Sequence, residues 1–442
     1  MGPRGRLRDR GRQLPGWVAP VLTVGAFAAV AAWLTVSTWR NVSESRLDVG
    51  MLTDFRDAIY YPLQALFDGV NPYDAPAYYR HYPVGQEFPL WSPVHFVVHA
   101  PVLLLGFEEA RAVYFGVTLL LILVFSWYAI RLAGHPASVA TVFGLATLVL
   151  LSEPGKLDLR AGQPAVIIIL GCYLALASTE RHWPAGAAGV ALAFIKPTFG
   201  IVLVVLLLCR RQTRAAIAGF GAAIAVSVAF ALPLADAAGG FGNLIDSLRT
   251  NLEVTSRSPQ SRLGSSLRID AASTLARFTG VRPSEAVGTV IGLAILAVGA
   301  ALVWRLRRTV PGSNRSELAI TLACLIVLTS TFHVPYDLLL LTWPVLLLVR
   351  RGAPDVPGWS RRMRIAVLVL VLVPIVDPLS WSAVNNSLGA APGVKRLLGV
   401  TAQGVYLIVA LGLTAWSTLR ATQEASRTSR AARSPDWTAP SM

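Results

Sequence analysis

The chain has 442 residues, 54% of them hydrophobic and only 14% charged, with a formal net charge of +15. Soluble domains carry about 25% charged residues, so the composition excludes an ordinary soluble protein. The positive charge does not point to nucleic acid either. It is spread in arginine clusters between apolar runs, at 4–12, 210–214, 305–315, 350–364 and 420–433, which is the pattern of cytoplasmic loops and suits anionic lipid headgroups.

Taken in chain order, residues 1–15 read as a basic cytoplasmic N-terminus. A retained span runs from 17 to about 38, with no small-residue cleavage site. It leads to a first outer loop, 39–88, whose segment from Thr53 to Pro83 sets four aspartates among six tyrosines. The run 88–107 carries three prolines and two histidines, and either spans or dips in and returns. Spans follow at 109–131, 136–152 and 164–179, and the run 184–209 is interrupted at Lys196-Pro197, as one long helix or two short ones. The re-entrant 88–107 with two half-helices is preferred, because it leaves Arg131 and His135 inside. A span at 214–235 leads to a second outer loop, 236–284, and a span at 285–306 returns inside. The pair 316–332 and 336–350 forms a hairpin with its tip at 333–337, outside. Residues 363–380 and 396–418 enclose a third outer loop, 381–395, and 419–442 reads as a disordered cytoplasmic tail. The expected fold is thus an all-α polytopic membrane protein, with a membrane domain over 16–418, about twelve spans and a surface helix in the first outer loop.

Chemistry concentrates on the outer side. Asp54 reads either as a helix cap or as a general base whose carboxyl is raised by partial desolvation. Asp57 is its reserve, free to pair with Arg56 or Arg80, and Tyr60 lies on the same stretch. Asp68 and Asp74 read as turn residues, and the tyrosines as an aromatic belt at the headgroups. Gln163 offers a donor and an acceptor at a helix start. Lys196, inside an apolar run and followed by a helix-breaking proline, must snorkel, pair or meet a ligand anion. His333 and Tyr336 crown the hairpin beside Asp337. Arg257, Arg262 and Arg268 in the second outer loop depart from the positive-inside bias and suggest an anionic partner. Cys172, Cys209 and Cys324 sit within or at the ends of apolar runs without CxxC spacing; they read as inert thiols, not as a disulfide or zinc framework. No metal site is expected.

Asp54, Arg56 and Tyr60, then Gly69-x-Asn71-Pro72-Tyr73, then FPLWSP at 88–93, Gly162-Gln163 and Lys196-Pro197, follow one another in an order that resembles the polyprenyl-phosphate-sugar-dependent GT-C glycosyltransferases. The branch it looks like holds actinobacterial α-1,2-mannosyltransferases and related arabinofuranosyltransferases. The resemblance covers about residues 50–350. It implies a GT-C-like bundle in the plasma membrane with an extracytoplasmic active site. An inverting transfer of mannose from polyprenyl-phosphate mannose to a glycolipid or lipoglycan acceptor would use Asp54 as base. The same resemblance implies Lys196, Arg262 and Arg268 at the donor phosphate, and Asp57, Tyr60, Gln163, His333 and Tyr336 at sugar or acceptor. No cofactor is implied. An arabinofuranosyl donor is the alternative. A lipid or sugar transporter without chemistry is the reading from another class; it would call for midplane charges and two similar halves, and the chain carries one such lysine and no internal repeat.

Overall fold

A computed structural model describes residues 15–44, 52–258, 261–281, 283–310, 312–350, 359–378 and 392–431. The described chain is helical, and five helices are each long and apolar enough to cross a membrane. They are α1 (Val18–Glu44), α5 (Phe107–Leu132), α11 (Thr213–Ala237), α14 (Glu285–Thr309) and α18 (Pro392–Ala431). A sixth span exists if α6 (Val139–Leu151) and α7 (Glu153–Ala161), bent by 77° at Ser152, count as one. Shorter apolar segments complete the bundle: α4 (Val94–His99) with a 3-10 turn, α8 (Ala165–Ala177), α10 (Pro197–Cys209), α15 (Glu317–Ser330), and a 3-10 turn (Pro335–Leu341) continuing into α16 (Thr342–Val349). The count of about twelve full-length spans is therefore not what the described helices present.

Packing follows from small residues and from burial. Helix α8 lies against α9 (Trp183–Ala193). A Cβ at Gly171 would stand 2.7 Å from the carbonyl of Gly189, and one at Gly189 2.5 Å from the carbonyl of Gly171. Close backbone approach of this kind drives helix association where lipid supplies no hydrophobic force. Helix α15 is apolar on every side and almost wholly buried, as a central core helix should be. By contrast, α1 leaves Val21, Leu22 and Trp33 exposed, a surface for lipid.

The breaks decide the site. Residues 184–209 form two helices, α9 and α10, separated at Phe194–Lys196, with Lys196 in an extended conformation (φ −107°, ψ 96°) and Pro197 opening α10. Proline suits a first helical turn and disfavours the continuation of an earlier one. Segment 88–107 is not a span: residues 88–93 are irregular and α4 is only six residues long. The loop 39–88, expected on the outer side, holds a π-helical turn (Phe55–Tyr60), α2 (Tyr61–Phe67) and α3 (Ala75–His81). The second such loop holds the amphipathic helices α12 (Phe241–Arg257) and α13 (Ala271–Thr279). Helix α17 (Arg361–Val376) precedes α18, which runs on through Ala431, so residues 419–431 are helix and not a disordered tail. Residues 1–14, 379–391 and 432–442, which carry most of the terminal and third-loop expectations, lie outside the described residues.

Candidate active site

The loops and breaks converge on a cavity of about 720 Å³. Its walls come from the first outer loop, the α7–α8 turn, the α9–α10 break, the end of α12 and the 332–337 tip.

Asp54 sits just before the π-helical turn, a local irregularity common at functional sites, yet its carboxylate caps no backbone N–H. The cap reading therefore fails for Asp54, whereas Asp74 does cap α3, accepting from Ala77 N at 3.1 Å. Two neutral amides hold Asp54 instead. Gln86 Nε2 donates to Oδ1 at 2.6 Å, and Gln163 Nε2 donates to Oδ2. Burial pushes the Asp54 carboxyl above its ordinary range; the Gln163 and Gln86 bonds oppose this, and the neighbouring Asp57 adds to it. The side chain still lines the cavity.

Gln163 reaches Asp54 because the α7–α8 turn presses on the π-helical turn. Helix α7 ends at Gly162, whose φ of +70° favours glycine, and the N–H groups of Gly162 and Gln163 both donate to the Asp158 carbonyl at 3.1 Å. A Cβ at position 162 would come within 2.6 Å of the Phe55 Cβ. Leu52 N donates to Arg160 O at 2.5 Å, tying the same two segments together.

Across the cavity, Lys196 Nζ donates to Asp337 Oδ2 at 2.5 Å. The latter oxygen also accepts from Val334 N at 3.1 Å, which fixes the hairpin tip. The ammonium stands over Phe199, with Phe332 and Tyr336 further out. Of the three fates open to Lys196, the structure selects pairing.

Asp54, Asp57, Gln163, Lys196 and Tyr336 thus come together on one cavity. The other four expected residues do not line it. Tyr60 is buried and turns its hydroxyl to the Leu105 carbonyl, 3.2 Å away, behind an aromatic cluster with Tyr61 and Phe107. His333 is wholly buried. Its Nδ1 lies 3.3 Å from the Thr331 carbonyl, and burial pushes the imidazole down to about 4, so it is neutral. Its backbone carbonyl accepts from Ile269 N and ties the second outer loop to the tip. Arg268 is committed to Asp270 at 2.5 Å and Glu285 at 3.3 Å, and Arg262 is exposed on the loop outside the cavity. Two tyrosines of the first loop are braces and not part of a headgroup belt: Tyr73 OH donates to Trp91 O at 2.7 Å and Tyr78 OH to Asp57 O at 2.8 Å, both rings buried, whereas Tyr79 is exposed. Asp68 accepts from Tyr82 OH at 2.8 Å. Asp57 chooses Arg56, at 2.5 Å.

Sequence reasoning passed over Gln86. Its only local signal is a short polar Gly-Gln-Glu interruption, 85–87, before the apolar Phe88. Glu87 and Arg56 also line the cavity. Among the described residues no group of three or more His, Cys, Asp or Glu side chains could hold a metal ion.

Apolar helices closing on a cavity that holds an amide-held carboxylate and a buried ion pair define a membrane-embedded protein with the equipment of an enzyme. The family model described as glycosyltransferase family 87 matches residues 90–331, more than half of the 442 residues, and the chain belongs to that family. It is a membrane glycosyltransferase, in keeping with the resemblance at that level. No curated protein and no solved structure matches the chain. The matched segment contains Gln163 and Lys196 and ends before the 333–337 tip; Asp54 precedes it.

Proposed function

We propose that the protein transfers a mannosyl residue from polyprenyl-phosphate mannose to a glycolipid or lipoglycan acceptor on the extracytoplasmic face of the plasma membrane, with inversion and with Asp54 as general base. The observation that carries this reading is the Asp54 carboxylate, facing a sugar-sized cavity and held by two neutral amides. A carboxylate can accept about four hydrogen bonds; two of the positions on Asp54 are used, and the rest are free for a hydroxyl. Its raised carboxyl brings it toward the range in which a base works efficiently.

In the proposed step the acceptor oxygen attacks the anomeric carbon. Its proton passes to Asp54, and the bond from that carbon to the phosphate oxygen breaks, its electron pair leaving with the polyprenyl phosphate. The leaving phosphate gains charge and calls for donors placed in advance. Lys196 has three N–H donors, one of which serves Asp337, so it can serve a phosphate as well. Arg56, paired with Asp57, is the other cation lining the cavity among the described residues. Arg262 and Arg268 are dropped from this role, since neither lines the cavity. In the same reading Gln163 and Tyr336 contact sugar or acceptor.

The test is transfer in membranes supplied with radiolabelled polyprenyl-phosphate mannose or, separately, polyprenyl-phosphate arabinose, comparing wild type with Asp54→Asn. Mannose transfer lost in the variant supports the proposal. Transfer of arabinose alone moves the donor assignment to the furanose. Transfer from neither, or full activity in the variant, defeats it.

A further inference from the structure

The loop after α3 folds back over the cavity, and its polar segment is pinned from beneath. Arg56 and Asp57 make a two-point pair, Nε to Oδ1 at 2.5 Å and Nη2 to Oδ2 at 3.1 Å. Oδ2 of the same Asp57 accepts the Gly85 N–H at 3.1 Å. The spot beside Gly85 is taken by the guanidinium: a Cβ there would meet Arg56 Nη2 at 2.9 Å. Tyr78, fully buried, holds the Asp57 carbonyl from the other side. One residue past this clamp, the Gln86 side chain crosses to Asp54 Oδ1.

We infer that Gln86 is a positioning residue: seated by the Arg56-Asp57-Gly85 clamp, it acts with Gln163 to fix the Asp54 carboxylate so that its unused lone pairs face the acceptor hydroxyl. Asp57 then acts through Gly85 and Gln86, as support, and not as a sugar ligand. The inference rests on the reading of Asp54 as base. The chemistry of the donor explains its type. A neutral amide orients a carboxylate without neutralising it; an arginine or lysine at position 86 would form a salt bridge and make Asp54 a poorer base. The clamp keeps Arg56, the nearest cation in sequence, occupied with Asp57 and so away from Asp54.

The full-length protein in liposomes carries the test, with Gln86→Leu, which keeps the bulk and removes the donor. Position 86 lies on a half-exposed loop, which suits replacement. Two readouts are taken. One is the pH dependence of kcat with radiolabelled polyprenyl-phosphate mannose. The other is pH-titrated infrared difference spectroscopy, wild type against Asp54→Asn, which follows the Asp54 carboxyl whether or not the enzyme turns over. Losing one donor to the ionised form raises the carboxyl; a hydrogen bond of ordinary strength corresponds to about one pH unit. Both the acid limb of kcat and the infrared midpoint are expected to move up by about one unit, with kcat down about tenfold and the donor KM within about twofold. Gln86→Glu, of the same length and polarity, stands in if the leucine variant does not fold; above its own titration it repels Asp54 and raises the midpoint further. A midpoint that stays where it is in the folded variant overturns the inference, even if activity falls. An inactive Asp54→Asn with an unmoved midpoint sinks the positioning role and leaves the base standing. A shifted midpoint alongside a fully active Asp54→Asn shows that Gln86 holds the carboxylate but defeats Asp54 as base, and the positioning role with it.

Discussion

Of the carboxylates that line the cavity, Asp54 and Asp337 are held in different ways. Asp337 is wholly buried, and its Oδ2 carries an ammonium at 2.5 Å and a backbone N–H at 3.1 Å. Asp54 keeps access to the cavity, and both its oxygens are met by uncharged amides. An ammonium neutralises a carboxylate and favours its ionised form strongly; an amide orients it and leaves its charge uncompensated. The first arrangement suits a fixed post that locates a cation. The second suits a group that must take up a proton. The contrast favours Asp54 over Asp337 for the proposed base, and Asp337 holds Lys196 at the helix break.

The comparison breaks most visibly at Asp54. Asp54→Asn keeps the shape and removes the basic site, so transfer should fall by about 10²–10⁴-fold, a usual range for a general base; labelled-product counts measure it. Next comes Asp337→Ala, which strands the Lys196 charge inside the protein. Breaking a buried pair from one side costs about 3–5 kcal/mol, so the variant should unfold well below wild type on heating in detergent. Lys196→Met combined with Asp337→Leu should recover most of that stability without recovering transfer. If the single and double changes are equally unstable, Asp337 is not simply the partner of Lys196.

The pH dependence sharpens the contrast. Burial raises the Asp54 carboxyl, and a base must be ionised to act. Activity should therefore be lost as pH falls through a value above the ordinary carboxylate range of about 4, and Gln163→Leu should move that limb higher, as loss of a donor to the charged form requires. A limb below the ordinary range would contradict the description of Asp54. At Gly162 the strain is conformational: alanine must adopt φ +70° and set its Cβ 2.6 Å from that of Phe55. It should cost about 1–3 kcal/mol and lower kcat by displacing Gln163, readable by thermal unfolding and transfer together. The smallest effect belongs to Arg262→Ala. Its side chain stands outside the cavity, and donor KM should change less than about twofold, within the range for an exposed charge.

Much of the scaffold was legible locally. Proline after Lys196 marked where 184–209 could divide, because it removes a backbone N–H and crowds the preceding turn. Pro233 and Pro374 lie inside α11 and α17 without ending them, so the sequence leaves the break itself open. Segment 88–107, with three prolines, reads from the sequence as a span or a re-entrant stretch, the second preferred because it leaves Arg131 and His135 inside; α4 is only six residues long. The end of the 136–152 run was legible, but not the 77° bend into α7, which Ser152 opens by capping Gly155 N with its side chain. Tyr60, His333 and Arg268 looked like site residues because they are polar and near the right loops. Their partners, the Leu105 carbonyl, the Thr331 carbonyl and the acids Asp270 and Glu285, turn them elsewhere.

By itself the sequence determined the membrane class, the helical runs and the places where proline could interrupt them. These follow from hydropathy, proline geometry and composition, all of which act within a few residues. Only the tertiary structure decided which carboxylate meets an ammonium and which meets amides. Gln86 lies 32 residues from Asp54 in the chain and Gln163 lies 109 away, while Lys196 and Asp337 are 141 apart. Contacts over such separations depend on how the helices pack, and the small-residue seams and the positive-φ turn at Gly162 settle that packing only once the whole bundle has closed.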